Sequence, residues 1–400
     1  MRYRIGHGAS SPTCTRQGAG GLGYSRLLRV LLVSARYFPL MGGIETHIHE
    51  VAPRLARAGL DVTILTTDPT RTLPKHEVVA GVEIRRVPAW PARRDYYFAP
   101  DVYRTIAREP WDVIHCQGCH TLVPPLAMLA ARQAHVPYVL TFHTGGHSSR
   151  MRTVARDTQW RLLRPLFAHA SRLIGVSRFE ADLFQRLLRL PASRFTVVPN
   201  GAHVLERPAS QPANAPADAR PAHSQTVLSV GRLERYKGHH RLIAAWPHVL
   251  RQRPDTYLRI VGSGPYEATL RGMAESLGVS ARVQIGAIAP TDRQGMGTVI
   301  AGAQLVALLS DYEAHPISVM EALAMGRPVL VAGTSGLQEI ADKGLARVVP
   351  LESSPEDVAR AVLGELASRI SVKPEIALPT WEECAASLES IYRSAAGVAV

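Results

Sequence analysis

Short apolar segments alternate with amphipathic segments along most of this 400-residue chain. From Leu28 the apolar segments are rich in valine, isoleucine and leucine with little polar alternation, which is typical of strands buried on both faces of a parallel sheet. The segments between them carry apolar residues at helical spacing, as at Ile44, Ile48, Val51 and Leu55. This order predicts a doubly wound parallel sheet. Its predicted strands are RVLLVSA, DVTILTT, WDVIHCQ, YVLTFHT, RLIGVS and FTVVPN.

The alternation is interrupted at residues 205–225, which are rich in proline and alanine and nearly lack large apolar side chains. Such a composition is typical of a linker. The pattern then restarts with TVLSVGR, YLRIVGSG, RVQIGA, QLVALLS and PVLVAG, which predict a second sheet of the same type. Because 400 residues exceed what one hydrophobic core usually serves, we expect two α/β domains, at 28–204 and 226–379, facing a cleft.

The two ends of the chain differ from these domains. Residues 1–27 are rich in glycine, serine and arginine without apolar periodicity, which predicts a disordered leader. Residues 380–400 include TWEECAASLESIYR, which has helical periodicity. The 4 cysteines are too few for a disulfide scaffold, and no apolar run approaches the length of a membrane span. We therefore expect a cytoplasmic protein.

The formal net charge of +13 indicates anionic partners: nucleotide phosphates, lipid headgroups or nucleic acid. The chain lacks a basic strand interleaved with aromatic residues, so no nucleic-acid partner is predicted. Residues 148–173 form a basic amphipathic segment that fits the inner face of an anionic membrane, as a peripheral contact. The same pattern fits packing against the sheet, and we favour packing.

Two glutamates, Glu313 and Glu321, lie 8 positions apart, after the predicted strand QLVALLS. Pro316 suits the first turn of a helix that we expect to end at Ala324. The pair therefore falls across a strand-to-helix junction, which brings two carboxylates to one cleft. The free backbone amides of Ile317 and Ser318 would lie at the helix N-terminus, where an anion such as a phosphate is favoured.

Two cations, Arg232 and Lys237, follow another predicted strand and the glycine turn at Gly231. A planar guanidinium and a point-charge ammonium can neutralise a diphosphate from two directions. After the first strand, Gly42 and Gly43 offer backbone amides that a sugar or phosphate can approach closely. A purely structural turn is the alternative for these two glycines.

Taken together, these segments resemble the retaining, nucleotide-sugar-dependent glycosyltransferases of family 4, which have the GT-B fold. The resemblance covers the chain from Leu28 to Tyr392. Its motifs, in family order, are RYFPLMGGIETHIHEVAPRLARAGLDVTILT, VLTFHTGG, LIGVSRFE, VVPNG, GRLERYKG, IVGSGP and the glutamate pair. The resemblance implies that the C-terminal helix crosses back onto the first domain, and that the sugar acceptor attacks from the same face as the leaving group.

The proposed roles follow from this combination of residues and resemblance. Arg232 and Lys237 would stabilise the charge on the leaving diphosphate. Glu321 would accept hydrogen bonds from the ribose hydroxyls, and Glu313 would contact the transferred sugar. His143, at the end of VLTFH, matches the family position that lines the reacting sugar; a satisfied core histidine is the alternative.

The loop around Cys116 and Cys119 satisfies short haem-attachment and redox patterns, which we consider chance matches. We expect this loop, with His115 and His120, to line the acceptor side of the cleft. No cofactor is predicted, since the GSGP turn lacks the third glycine of a dinucleotide motif. No metal is predicted either, since the chain shows no Asp-x-Asp pair or convincing His/Cys cluster.

The sequence therefore predicts a metal-independent retaining glycosyltransferase of the kind used in cell-envelope or polysaccharide biosynthesis. It would move a hexose from a UDP- or GDP-linked donor to a hydroxyl of a glycan, lipid or small-molecule acceptor. One alternative keeps the fold but changes the reaction, to a nucleotide-sugar epimerase or a phosphorylase-like enzyme. The other is a non-catalytic sugar-binding protein that closes like a hinge.

Overall fold

The computed structural model of this protein describes residues 26–40, 42–91, 97–144, 150–202, 225–289, 292–368 and 377–398, and between 150 and 158 the backbone alone. Residues 1–25 of the predicted leader and residues 205–224 of the predicted linker lie outside the described residues.

The first domain is built on one sheet with helices between its strands. The strands are β1 (Arg29–Ser34), β2 (Asp61–Asp68), β3 (His76–Val79), β4 (Val82–Pro88), β5 (Val113–Gln117), β6 (Tyr138–Thr141), β7 (Arg172–Gly175) and β8 (Phe195–Val197). The helices are α1 (Gly43–Arg57), α2 (Pro100–Arg108), α3 (Val123–Gln133), α4 (Arg150–His169) and α5 (Arg178–Leu188). The strand order is β3-β4-β2-β1-β5-β6-β7-β8, and every neighbouring pair is parallel except β3 with β4.

The central strand β1 shows why the apolar runs are continuous. Leu31 and Val33 belong to the core on one side of the sheet, together with Phe142. Val30 and Leu32 belong to the core on the other side, beneath α1. Successive side chains of a strand point to opposite faces, so a strand covered on both faces needs apolar residues at every position.

The second domain repeats this plan with a smaller sheet. Its strands are β9 (Thr226–Val230), β10 (Tyr257–Val261), β11 (Val283–Gly286), β12 (Leu305–Leu308), β13 (Val329–Ala332) and β14 (Arg347–Val349). Its helices are α6 (His239–Gln252), α7 (Glu267–Ser276), α8 (Arg293–Gly302), α9 (Ile317–Ala324), α10 (Ser335–Asp342) and α11 (Pro355–Ala367). The order is β11-β10-β9-β12-β13-β14 with parallel pairing throughout. The predicted fold class of two doubly wound α/β domains is therefore confirmed.

Each sheet has a point where the chain reverses direction across it, between β1 and β5 in the first and between β9 and β12 in the second. Loops at the carboxyl ends of the strands diverge at such a point and leave a crevice for ligands. The two domains place these loops opposite each other.

A last helix, α12 (Trp381–Ala395), packs against α1. Trp381, Leu388 and Tyr392 are buried in the core of the first domain. A capping box at Thr380 and Glu383 fixes the start of the helix. The chain thus crosses from the second domain back to the first before it ends.

Strands β3, β4 and β14 were not among the predicted strands. β3 and β4 form a hairpin around Gly81, whose φ is +80°. β4 alternates buried and partly buried positions and includes Arg85 and Arg86, so it lacks the continuous apolar run of the predicted strands. A hairpin at the edge of a sheet with one solvent-exposed face does not show the continuous apolar pattern of strands buried on both faces.

The basic amphipathic segment forms α4, and its apolar face turns inward. Trp160 and Phe167 are buried in the first core, and Arg164 Nε donates to the Leu188 carbonyl at 2.7 Å. This packing takes the two aromatic rings away from any membrane-facing surface. In the described part of the chain, no helix combines the length and the apolar character needed to cross a membrane.

Two glycine substitutions test the packing with opposite signs. A Cβ at Gly201 would lie 2.2 Å from the Trp381 nitrogen, so Gly201→Ala forces α12 away from the first domain and should lower the free energy of unfolding by about 1–3 kcal/mol. Gly272 lies inside α7 with open space around it, so Gly272→Ala should raise that free energy by about 0.5–1 kcal/mol. Urea denaturation measures both, and equal effects would contradict the packing of α12.

Candidate active site

The cleft lies between the carboxyl ends of the two sheets, and polar contacts cross it. Asn200 Nδ2 donates to the His315 carbonyl at 2.9 Å, and the Phe179 amide donates to Glu339 Oε2 at 3.1 Å. Ile317, at the start of α9, also packs against the core of the first domain. The loops after β9 and β12 are therefore held close to the first domain.

A mostly buried ion pair in the cleft joins Lys237 to Glu313. Lys237 Nζ lies 2.6 Å from Glu313 Oε1, and the two side chains are only 17% and 12% exposed. Ser310 Oγ donates to the same carboxylate oxygen at 2.9 Å. Burial opposes the charge on Lys237, but the Glu313 carboxylate outweighs it and holds the pKa of Lys237 above its ordinary value. Lys237 therefore stays charged near neutral pH.

Arg232 lies nearby and is more open to solvent. Its side chain is 48% exposed, with Nη1 2.8 Å from Glu234 Oε1 and Nη2 2.7 Å from the Tyr236 hydroxyl. Tyr236 in turn stacks on Tyr312, with ring centroids 4.7 Å apart. The guanidinium is thus held by Glu234 and Tyr236 while about half of the side chain stays exposed.

Three glycines shape the loops. Gly238 has φ +73°, and a Cβ there would lie 1.8 Å from the Leu309 carbonyl, so the loop carrying Lys237 can touch the end of β12 only through glycine. At Gly42 a Cβ would lie 2.6 Å from Glu45 Oε2, whereas Gly43 has open space. A side chain at Gly42 would therefore have to displace the Glu45 carboxylate, whereas Gly43 leaves room for a ligand.

Glu45 is a buried carboxylate that the sequence analysis did not select. It lies in the first turn of α1 and is 9% exposed. Burial raises its pKa, while the guanidinium groups of Arg36 and Arg232 act in the opposite direction. Its nearness to Arg232 links the glycine loop of the first domain electrostatically to the cations of the second.

The predicted helix after Pro316 is confirmed as α9, Ile317–Ala324. Its N-cap residue, Pro316, makes no side-chain cap hydrogen bond, and the amides of Ile317 and Ser318 point to the cleft end of the helix. Glu321 is 4% exposed and forms an ion pair with Arg293 at the start of α8. Arg293 was also missed, because a partner 28 positions away leaves no local pattern.

His143 follows β6 with a φ of +56°, which is uncommon for a residue with a side chain. Its Nε2 lies 2.6 Å from Gln117 Oε1, and its ring centroid lies 4.8 Å from that of His47. An amide oxygen only accepts, so Nε2 of His143 carries the proton. Burial lowers the pKa of His143 well below its ordinary value, which makes the ring a neutral group at the cleft.

The expectation for His115 was wrong. This side chain is fully buried, with Nδ1 2.6 Å from the Tyr392 hydroxyl and Nε2 2.8 Å from Thr141 Oγ1. It lies inside β5 rather than after it, so it faces the core and α12. His120 is partly buried and its ring lies beside Gly118, near the first turn of α1. A Cβ added at Gly118 would be 3.7 Å from Cδ2 of His120.

The cysteine loop shows no reactive thiol at Cys116. The side chain is fully buried, and burial raises the pKa of its thiol far above the ordinary value. Within the described residues, no group of three histidine, cysteine or acidic side chains is arranged to hold a metal ion.

Comparison with known proteins agrees with this geometry. Residues 41–204 match the model of Glycosyltransferase Family 4, and residues 210–371 match that of Glycosyl transferases group 1. The phosphatidyl-myo-inositol mannosyltransferase of Mycolicibacterium smegmatis is 30% identical, over 85% of this chain and 85% of the relative. This chain belongs to glycosyltransferase family 4. The resemblance noted from the sequence is thus confirmed.

Solved structures share the fold of this glycosyltransferase. Sucrose-phosphate synthase from Thermosynechococcus elongatus is similar with a TM-score of 0.74 and 22% identity, over 92% of this chain and 98% of the other. HepE of Anabaena in complex with UDP has a TM-score of 0.67 and 19% identity, over 92% and 99%. At these identities the likeness establishes the GT-B fold alone.

One further carboxylate supports the His143 loop of this glycosyltransferase. Glu180 is fully buried; its Oε2 accepts from the Val176 amide at 2.7 Å and its Oε1 from the Thr144 amide. Burial raises the pKa of Glu180 to about 8, although these amides act to lower it. The Ser177-x-x-Glu180 spacing of a capping box was the signal available in the sequence.

The raised pKa of Glu180 predicts a pH-dependent stability. Between its ordinary value of 4.5 and about 8, the unfolded chain loses this proton before the folded chain does. The free energy of unfolding should then fall with rising pH by up to about 1.4 kcal/mol per unit, relative to Glu180→Gln, and level off above the folded pKa. Urea titrations of both proteins from acid to alkaline pH give this difference. A flat difference would show that the amides keep Glu180 ionised in the folded state.

Proposed function

We propose that this glycosyltransferase moves a hexose, with retention of anomeric configuration, from a UDP- or GDP-linked donor to a hydroxyl group of a glycan, lipid or small molecule. The observation that carries the proposal is the convergence of Arg232, the Lys237–Glu313 pair and the N-terminus of α9 on one cleft. This set suits a leaving diphosphate.

The cations and amides would act on the leaving group. The half-exposed Arg232 guanidinium offers planar donors, and α9 offers the amides of Ile317 and Ser318 at the positive end of its dipole. Lys237 is held in place before any ligand arrives. Charge that grows on the departing diphosphate would therefore meet preorganised donors, which is electrostatic catalysis of the transition state. These donors supply the role that a metal ion has elsewhere, so we propose that no metal is required.

Glu321 suits the ribose. Its carboxylate is buried in the second turn of α9 and is neutralised by Arg293. A carboxylate can accept hydrogen bonds from the two ribose hydroxyls of either UDP or GDP, so this contact does not select the base. Gly42, Gly43 and Gly231 would border the same donor.

The state of Glu313 argues against a covalent glycosyl-enzyme intermediate. Its Oε1 accepts from both Lys237 and Ser310, which reduces its strength as a covalent nucleophile. We therefore place it against the transferred sugar, with His143 on the other side. The acceptor would attack from the face that the diphosphate leaves, and a phosphate oxygen of the leaving group would take the acceptor proton.

The names of similar proteins support the substrate classes. HepE of Anabaena binds UDP, which favours a UDP-linked donor here. The mannosyltransferase of Mycolicibacterium smegmatis acts on phosphatidyl-myo-inositol, which favours a lipid among the acceptors. A cytoplasmic location would supply nucleotide sugars to the cleft. No contact in the described residues favours an epimerase, a phosphorylase or a binding protein over a transferase.

The donor can be identified by a thermal-shift screen of UDP, GDP and ADP and their sugars, because binding to the folded state raises the unfolding midpoint. The donor found in this way is then incubated with glycan and lipid acceptors, with and without a chelator. Product with the anomeric configuration of the donor supports the proposal. An inverted product would contradict retention, and epimerised donor alone would contradict transfer. Loss of activity with the chelator would contradict the proposal that no metal is required.

Substitution of either cation should slow transfer. Arg232→Ala and Lys237→Ala should each lower turnover at saturating donor on the order of a hundredfold, the scale of removing one donor to a developing oxyanion. Arg235→Ala is the matched control, since Arg235 lies in the same turn, is exposed, and carries the same charge. Near-normal turnover in both variants, or an equal loss in the control, would sink the proposed role.

The two glutamates should separate in binding assays. Glu321→Gln keeps the shape but removes the charged acceptor, so nucleotide binding should weaken by about 1.5–3 kcal/mol. Glu313→Gln should leave the binding of free nucleotide intact and damage transfer, because Glu313 is assigned to the sugar. Calorimetric titration with the nucleotide, followed by turnover assays, distinguishes them. Identical titrations of the two variants would refute the division of roles.

A further inference from the structure

Asn200 is the residue of the VVPNG motif that bridges the two domains. Its side chain is 4% exposed, and both ends of its amide are used. Oδ1 lies 2.9 Å from His47 Nδ1 on α1, and Nδ2 donates to the His315 carbonyl at 2.9 Å. His315 immediately precedes Pro316, the N-cap residue of α9. One amide therefore connects the helix behind the glycine loop with the segment between Glu313 and α9.

The directions of these two bonds are fixed by chemistry. The His315 carbonyl only accepts, so the nitrogen of the amide must face it and the oxygen must face His47. His47 then donates through Nδ1, and its Nε2 carries no proton. That Nε2 is buried without a partner among the described residues. Burial lowers the pKa of His47 to about 4, so this arrangement persists at neutral pH.

Residue 200 is anchored firmly to the first domain. Next to it, Gly201 lies against the start of α12, where a Cβ would be 2.2 Å from the Trp381 nitrogen. The Ala202 amide donates to the Pro379 carbonyl at 2.6 Å. The chain thus leaves the first domain beside the segment that returns to it. From this fixed point the Asn200 amide reaches across to the second domain.

We propose that Asn200 is a positioning residue for donor binding: its amide holds the backbone at His315, and with it the first turn of α9, in place against the first domain. The inference rests on the proposed function, because the donor diphosphate is the ligand assigned to that turn. Asn200 touches no substrate itself. It makes the position of the α9 amides depend on how the two domains sit together, so donor binding and domain closure are coupled.

The test uses Asn200→Asp in the full chain, with UDP and GDP as probes. A carboxylate still accepts from His47 but repels the His315 carbonyl, so the dissociation constant of the nucleotide that binds should rise about tenfold. Small-angle scattering should show that saturating nucleotide shrinks the unsubstituted protein and no longer shrinks the variant. Asn200→Ala removes both bonds without adding charge, and should weaken binding at every pH.

A pH series separates positioning from general destabilisation. When the introduced carboxyl group gains a proton it can donate to the His315 carbonyl, so the ratio of the variant's dissociation constant to that of the unsubstituted protein should fall as pH falls. In the unsubstituted protein, burial lowers the pKa values of the neighbouring imidazoles of His47 and His315 to about 4, so the series is run above that pH. Glu339 and Lys343, which act on His315, are present in both proteins and cancel in the ratio.

Glu382→Gln is the matched control. Arg54 Nε donates to Glu382 Oε1 at 2.8 Å, which links α1 to α12 inside the first domain only. This change should leave nucleotide affinity unaltered. Normal affinity and normal closure in both Asn200 variants would overturn the inference while leaving the proposed function intact. Failure of the unsubstituted protein to bind either nucleotide would overturn the proposed function and the inference together.

Discussion

The ion pair between Lys237 and Glu313 organises the catalytic face of the second domain. Two charges removed from most of their water cost several kcal/mol each unless they face each other with good geometry. At 2.6 Å, with Ser310 completing the carboxylate, that condition is met. The pair ties the loop after β9 to the loop after β12, and these two loops carry Arg232 and α9. The loops that carry Arg232 and α9 are therefore joined by a contact that is complete before substrate binds.

The elements around this pair were largely predictable from sequence. Parallel strands buried on both faces leave continuous apolar runs, and β1, β9 and β12 all show them. The bounds of α9 followed from Pro316, since proline fits the start of a helix and not its interior. The hairpin of β3 and β4 was not predictable in the same way, because its outer face is wet and its signal is a polar alternation broken by arginines.

The contacts within the site were less predictable than its members. Lys237 and Glu313 were both selected, but as separate groups, because a pair 76 positions apart has no local signature. His115 failed for a related reason: a histidine inside a strand looks the same in sequence whether it faces a cleft or finds Tyr392, 277 positions later. For Glu180 the opposite was true. The spacing of a helix cap could be recognised in the sequence, whereas the burial of the side chain could not.

The distribution of charge explains how a strongly basic chain can keep an ordered cleft without its substrate. Lys237 is neutralised by Glu313, and Glu321 by Arg293, so each buried charge at the donor site has an internal partner. When a donor binds there, these side chains exchange protein partners for groups of the donor. Little of the free-energy cost of removing their charges from water then remains uncompensated. Arg232, the half-exposed cation, keeps more of its hydration in the free protein. Its attraction for a diphosphate is therefore the more sensitive to salt, whereas the buried pair sets the geometry that the diphosphate meets.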